Sequence, residues 1–334
     1  MKNMRFPRLI LMLLFSIECG FLFAQDSLTI ISYNVENLFD CEHDTLKNDF
    51  SFLPDGDYHW TYYRYQTKLD RIAQVLVNIS GWESAALVGL CEVENARCLR
   101  DLCYRLKCFH YKYVHYESPD ERGVDVALLY DSTKVKILSS KPLPVDLQGD
   151  KTRDILYVEA LVEAKDTLHA MVCHLPSQLG GSAASDWKRM AAKQVIQQQV
   201  DSILHLQPRA KIVVMGDMNS EPQNDLRYLS NCMLDLHRVG QGTHKYQGLW
   251  SCIDQFYVSE SLSQQVQTHI FSPDWLLEED TKYLASRPNR TFIGYRYHAG
   301  YSDHLPIVLR IKKAVPLLTQ PHKKQSKNNQ NKSL

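Results

Sequence analysis

The chain has 334 residues, with 38 basic and 38 acidic side chains and an apolar share of 44%. That length suits one large domain or two small ones, and the composition is that of a globular protein. Balanced charge gives no whole-molecule attraction to nucleic acid, so any phosphate chemistry has to be met locally, for example by a bound cation.

Lys2, Arg5 and Arg8 precede an apolar run from Leu9 to Ile17, and Leu22-Phe23-Ala24 places a small residue ahead of Gln25 and Asp26. A charged start, an apolar stretch and a small residue at the cut predict a secretory signal peptide over residues 1–24 and export to the periplasm or outside the cell. The alternative, a short membrane anchor, is weakened by Glu18. No later segment is long and apolar enough to span a bilayer. Eight of the nine cysteines follow the predicted cut. Export permits disulfides, but Cys91, Cys98, Cys103 and Cys108 lack a zinc spacing. Cys91 and Cys173 sit within apolar runs and read as small buried residues, and no pairing among Cys98, Cys103 and Cys108 is derivable.

Leu28 to Tyr33 predicts a first strand, and the polar, aromatic stretch from Asp40 to Tyr63 a long loop. Lys68 to Ile79 carries Leu69, Ile72, Leu76 and Ile79 at helical spacing. Ala85 to Leu90 predicts a buried strand, and Ala96 to Lys107 a helix with Leu99, Leu102 and Leu106 on one face. Strands are expected at Tyr111 to Tyr116, Val124 to Tyr130 and Val135 to Leu138. A hairpin over Asp154 to Val162 and Thr167 to Cys173 should turn near Lys165-Asp166. Ser185 to Leu206 predicts a long helix with Ala192, Ile196, Val200 and Ile203 inward. Lys211 to Met215, Gln255 to Val258 and Ile307 to Ile311 close the set of strands. Strands cluster with few helices between them, which favours an α+β sandwich over an alternating parallel sheet. The catalytic domain is expected over residues 25–313. Residues 314–334 are rich in Lys, Asn, Gln and Ser and cannot build a core, so a disordered polar tail is expected.

Polar groups collect at the predicted strand ends. Asn34 and Glu36 follow the first strand and Glu92 the second. A hard cation such as Mg²⁺ takes oxygen ligands, often one or two carboxylates with water and substrate phosphate. His174 follows Ala170 to Cys173, with Pro176 and Ser177 behind it, a place for a phosphate contact or a proton donor. Asp217 and Asn219 stand two apart beyond a strand. Asp303-His304 supplies an acid and a general base, and a base histidine needs a partner to fix its tautomer; Asp254 is the candidate. Taken singly, each of these residues reads equally well as a solvated loop acid, a cap or a structural histidine.

Their order is more specific than any one of them. Tyr33-Asn34-Val35-Glu36, Glu92-Val93-Glu94-Asn95, the run from Arg122 to Tyr130, His174-Leu175-Pro176-Ser177, Gly216-Asp217-Met218-Asn219, Ile253-Asp254 and Ser302-Asp303-His304 together resemble the endonuclease/exonuclease/phosphatase superfamily, which contains deoxyribonuclease I. The resemblance runs from Leu28 to Lys312. It implies a four-layer αββα sandwich with the site at the open edge between its sheets. It implies Glu92 as the main metal carboxylate beside Asn34, with Glu36 and Asp303 as further members of the metal site. It implies His304 as general base oriented by Asp254, Asp217 on the attacking water, and His174, Asn219 and Arg153 on the phosphate. The implied cofactor is Mg²⁺, with Mn²⁺ or Ca²⁺ as alternatives.

The motifs define the reaction better than the substrate. One reading is an exported, monomeric, metal-dependent endonuclease of low sequence specificity, with Tyr62, Tyr63, Arg64 and Tyr65 of the long loop stacking on a strand. A second is a phosphodiesterase or phosphatase acting on a small molecule or a lipid headgroup, although no membrane-inserting hairpin stands out; the segment from His244 to Gly248, ahead of Trp250, could line the pocket in either reading. A third is a non-catalytic binding protein on the same scaffold, which would require a lost core group; all are present.

Overall fold

Strand β1 (Ser27–Leu38) is buried on both faces, and its alternation sets out the layers. Ile31, Tyr33 and Val35 pack with Leu69, Ile72 and Leu76 of a helix spanning Tyr62–Ser80. Ile30 turns the other way, into a cluster with Val213, Met215 and Phe256 of a second sheet. Asn34 shares the parity of Ile30, so the same alternation directs it towards that sheet.

The computed structural model describes residues 27–178 and 182–312, with side chains left out at 182–184. The expected leader over 1–24 and tail over 314–334 lie outside the described residues. The remaining strands in chain order are β2 (Leu87–Val93), β3 (Tyr111–His115), β4 (Asp125–Asp131), β5 (Val135–Leu143), β6 (Ile155–Val162), β7 (Asp166–His174), β8 (Lys211–Asp217), β9 (Leu229–Asn231), β10 (His244–Tyr246), β11 (Leu249–Ser251), β12 (Asp254–Ser259), β13 (Val266–Ile270), β14 (Leu277–Asp280), β15 (Ala285–Pro288), β16 (Phe292–Ile293), β17 (Arg296–Tyr297) and β18 (Ile307–Lys312). One six-stranded sheet runs β13-β18-β1-β2-β4-β3 and the other β5-β6-β7-β8-β12-β9. The pairs β1–β2 and β7–β8 are parallel, and a helix lies in the connection within each.

The layers follow from three apolar clusters. Helices Tyr62–Ser80 and Ala96–Arg105 cover the outer face of the first sheet. The inner faces of both sheets meet through Leu87, Leu128, Val158, Val172 and Leu309. Helix Ser182–Leu206 covers the second sheet with Ala192, Ile196, Val200 and Ile203. This is the expected αββα sandwich. The sheets come close enough at Gly89 that an added Cβ would lie 2.9 Å from Met215 Sδ.

Several sequence expectations change in detail. The stretch after Asp40 is not loop as far as Tyr63, because Thr61 caps a helix that begins at Tyr62 and accepts a bond from Arg64 N. Tyr65 is buried and donates to Asp101 Oδ2 at 2.7 Å, and Arg64 lies over the Tyr297 ring, so neither is a loop residue free to stack on a strand. Tyr62 and Tyr63 stay exposed in the first helical turn. Strand β1 continues through Asn34 and Glu36 to Leu38, and β5 extends to Leu143. The eight cysteines of the described residues are free thiols, with Cys91 and Cys173 buried. Among the described residues no helix is long and apolar enough to cross a membrane.

Glu94 gives the fold a pH dependence. It is buried, accepts from Asp40 N at 2.6 Å, and its carboxyl is pushed up to about 8 by burial, with Asp40 and Asp49 adding to the effect. A raised acid favours the folded state while protonated, so its contribution is fully present below its ordinary pKa near 4.5 and is lost as pH rises through about 8. We expect Glu94→Gln to flatten the stability–pH curve between those values, where one proton accounts for about 1.4 kcal/mol per pH unit. Denaturant unfolding at pH 5 and pH 8 checks this. Parallel curves for variant and wild type would contradict it.

Candidate active site

Three neighbouring strands of the second sheet bring polar residues to one edge. His174 is the last residue of β7, Asp217 the last of β8 and Asp254 the first of β12. Their registers place His174 opposite Asp217 and Asp217 opposite Asp254. The first sheet faces them with Asn34 on β1, Glu92 on β2 and His304 just before β18. Asn34 Nδ2 reaches Asp217 Oδ2 at 3.2 Å, so the two sheets are joined by a polar bridge.

The backbone at these positions leaves regular strand geometry. Glu92 has φ +66°, Glu36 φ +52° and Asn219 φ +48°. The β1–β2 register shifts between Asn34 and Leu38, and the β2–β4 register between Cys91 and Val93. These are bulges, which re-aim side chains at a sheet edge. Gly216 has φ +137°, and a Cβ there would lie 1.8 Å from Cys173 O, so only glycine delivers Asp217 to the edge.

His304 is the centre of the charge distribution. Its Nδ1 lies 2.7 Å from Asp254 Oδ2, its Nε2 3.8 Å from Asp217 Oδ2 and 3.9 Å from Asp303 Oδ1. Burial pulls its pKa down, but Asp254, Asp217 and Asp303 together outweigh this and hold it well above the usual histidine value. Asp217 is pushed up to about 7, chiefly by burial and opposed by His304. Ser302 fixes the segment: its Oγ donates to Asn34 O at 2.7 Å and accepts from His304 N at 3.0 Å. His174 behaves oppositely. Burial first, then Arg153, Arg122 and His304, hold it well below the usual value. A neutral His174 presents Nε2 at 3.6 Å from Asp217 Oδ2 and 3.9 Å from Glu92 Oε1.

The residues expected to hold the metal divide into two groups. Glu92 Oε2 accepts from Asn37 N at 2.9 Å, and its Oε1 lies 3.4 Å from Asn34 Nδ2. Asn34 Oδ1 accepts from Glu36 N at 3.0 Å. Glu36 itself turns away: it accepts from Thr291 N at 2.7 Å and Phe292 N at 3.4 Å and lies 3.9 Å from Lys68 Nζ. Its carboxyl is pushed up to about 7 by burial and then by Asp303. Asp303 pairs with Arg290 at 2.7 Å. Among the described residues, Asp217, Asp254 and His304 form one cluster with ligand atoms close enough to share an ion, and His244, Asp303 and His304 another. The acids at this edge offer carboxylate oxygens, which suit a hard divalent cation, while Asn34 turns its Nδ2 rather than its Oδ1 to Glu92 and Asp217. Negative charge there exceeds what Lys68, Arg290 and His304 offset, and Asp254 Oδ1 and His174 Nδ1 are buried without hydrogen-bond partners. The residues therefore fit a cation such as Mg²⁺.

Two further placements differ from a simple reading of the motifs. Asn219 does not continue the strand: its left-handed backbone turns Nδ2 to Leu175 O at 2.9 Å, while its N–H caps Asp217 Oδ1. Arg153 is buried with Nη1 on Asp120 Oδ2 at 2.9 Å. Arg122 bears on the same histidine, yet its side chain is 51% exposed. Asp120 is shared, with Oδ2 on Arg153 and Oδ1 4.0 Å from Arg122 Nε, a division that the sequence does not show. The segment from His244 to Gly248 does reach the site, with the His244 ring centre 4.8 Å from that of His304; unforeseen were the hairpins β10–β11 and β14–β15, which expose Tyr246, Leu249 and Leu284. Short strands of mixed polarity carry little periodic signal.

Comparison with known proteins agrees with this geometry. No curated protein matches the chain by sequence. Truncated TDP2 from Caenorhabditis elegans superposes with a TM-score of 0.58 at 17% identity, covering 86% of this chain and 98% of that one. The human nocturnin catalytic domain with bound sulfate gives 0.54 at 15% identity, covering 85% and 93%. TDP2 from D. rerio complexed with a single-strand DNA product gives 0.55 at 18%, covering 86% and 100%. These likenesses concern the fold. The profile of the Endonuclease/Exonuclease/phosphatase family matches residues 29–313. The chain therefore belongs to the endonuclease/exonuclease/phosphatase family, and it is a metal-dependent phosphoric ester hydrolase.

Proposed function

We propose that this protein is an exported, monomeric, Mg²⁺-dependent endonuclease of low sequence specificity. The observation that carries the hydrolytic part is the Asp254–His304–Asp217 arrangement, with 2.7 Å on one side of the imidazole and 3.8 Å on the other. Asp254 fixes the ring so that Nε2 faces the cleft, where it takes a proton from water. Asp217 orients that water. His174, kept neutral, donates through Nε2 to a non-bridging phosphate oxygen. Asn219 holds the Asp217 loop in place through Leu175 O and the Asp217 carboxylate, and in this reading its amide turns to the phosphate when substrate binds. Glu92 and Asn34 would hold the cation, with Asp303 beside them; Glu36 supports the segment Thr291–Phe292 from beneath. A bound cation supplies charge neutralisation at the phosphate and the leaving oxygen. In this reading Arg122 reaches the substrate phosphate, and Arg153 anchors Asp120 behind it.

Nucleic acid is the preferred substrate for three reasons. Exposed Tyr295, 5.2 Å from Tyr58, offers a stacking surface, and the charge of exposed Arg122 bears on both Tyr58 and His174. A neighbour of the same fold was solved with single-strand DNA. Export, read from residues 1–24, would put the enzyme where free nucleic acid is found. The exposed Tyr246, Leu249 and Leu284 favour a second reading, a phosphate ester on an apolar or lipid carrier. A parallel assay on plasmid DNA, RNA, sphingomyelin, inositol phosphates and bis-(p-nitrophenyl) phosphate, with Mg²⁺, Mn²⁺ and Ca²⁺ compared, separates them. Plasmid nicking without lipid cleavage is expected; cleavage of sphingomyelin alone would replace the first reading by the second.

His304→Ala and Asp217→Ala should each reduce phosphodiester turnover by about 10²–10⁴-fold with the circular dichroism spectrum retained. Full turnover in either variant would remove its role. Mg²⁺ at a hundred times its Kd should raise the unfolding free energy by about 2.7 kcal/mol. Glu92→Gln should abolish that gain, and an undiminished gain in this variant would place the cation elsewhere.

A further inference from the structure

A second cluster of metal-ligand type lies outside this constellation, at the start of the β3–β4 connection. His115 ends β3, Glu117 follows it by two residues, and Asp125 opens β4. One ligand atom from each can be chosen so that all lie within 4.8 Å of one another. His115 and Asp125 are deeply buried, with side chains 4% and 1% exposed. Asp125 Oδ1 is satisfied by Ser118 N at 3.1 Å and by Ser118 Oγ. Asp125 Oδ2 is not: it faces His115 Nε2 at 3.3 Å, and both atoms are buried without a hydrogen-bond partner. Glu117 Oε1 stands 4.0 Å from the other ring nitrogen.

The cluster holds more negative charge than it neutralises. Among the described residues neither Glu117 nor Asp125 pairs with a lysine or arginine. Lys47, the nearby cation, has its ammonium on Ser118 O at 2.6 Å and Asp120 O at 3.0 Å. Two buried atoms that face each other at 3.3 Å without a hydrogen bond, beside a second carboxylate, form a cluster of metal-ligand type.

We propose that His115, Glu117 and Asp125 bind a divalent transition-metal ion of the Zn²⁺ or Mn²⁺ type. One imidazole nitrogen and two carboxylates suit these ions better than Mg²⁺ or Ca²⁺, which favour all-oxygen shells. The ion clamps the connection between β3 and β4. That connection carries Asp120, which pairs with Arg153, and Arg122, whose charge bears on His174. The site is therefore structural and adjoins the catalytic edge.

The experiment uses the full chain, stripped of metal and titrated separately with Zn²⁺, Mn²⁺ and Ca²⁺, with stoichiometry read by calorimetry and elemental analysis. In a Glu92→Gln background, which removes the principal carboxylate of the catalytic edge, one equivalent of Zn²⁺ or Mn²⁺ should remain. Adding His115→Gln should remove it, and adding half-exposed Glu117→Gln should weaken it at least about tenfold. If the His115 variant does not fold, the Glu117 variant decides. Loss of all binding in Glu92→Gln, unchanged binding in Glu92→Gln/Glu117→Gln, or a preference for Ca²⁺ over Zn²⁺ and Mn²⁺ would overturn the proposal. In that case an imidazolium shared by two carboxylates explains the cluster.

Discussion

Two buried carboxylates on adjacent strand ends, Asp217 and Asp254, share one imidazole, and the chemistry of this molecule depends on that contact. Like charges in a dry site cannot all ionise without a counter-charge. His304 supplies part of it and is held protonated in return. Burial, with Asp254 adding, still pushes Asp217 up to about 7 against the pull of His304. The remaining excess, on Glu92, Glu36 and Asp303, is met by Lys68 and Arg290 only in part. A cation would supply the rest, and it would also release His304 to act as a base.

The sandwich exists to make that contact. Asn34, Glu92 and His304 come from one sheet, His174, Asp217 and Asp254 from the other. Their packing interface is apolar along its length and polar only at this edge. The close approach at Gly89 and Met215 sets the spacing between the sheets. The bulges at Glu36 and Glu92 then turn the backbone so that successive acids point in different directions. Glu92 is left at the edge, while Glu36 goes down to Lys68 and the Thr291 amide. Strain of this kind is tolerated where the surrounding structure fixes it.

Much of this was legible in the chain. The helical stripe of Leu69, Ile72, Leu76 and Ile79 and the apolar runs before Asp217 and after His304 identified the layers, because burial on a period leaves a repeat in sequence. The ordered motifs identified the family and the residues at the edge. Local backbone was less legible. Nothing in Asn34-Val35-Glu36 says that a bulge separates the fates of the amide and the acid, and a helix starting at Tyr62 was hidden by three tyrosines, poor helix formers that Thr61 nonetheless caps. That Asp120 holds buried Arg153 at 2.9 Å and half-exposed Arg122 only at 4.0 Å is a tertiary fact. The clustering of His115, Glu117 and Asp125 also depends on a strand pairing that spacing does not reveal.

The most direct measurement of the central claim is anomalous diffraction from crystals grown with Mn²⁺ and a non-hydrolysable phosphodiester. The account predicts a manganese peak in contact with Glu92, and a phosphorus atom within hydrogen-bonding reach, direct or through one water, of both His304 Nε2 and His174 Nε2. A phosphodiester bound away from His304, or no manganese at Glu92 with the ester in place, would contradict it.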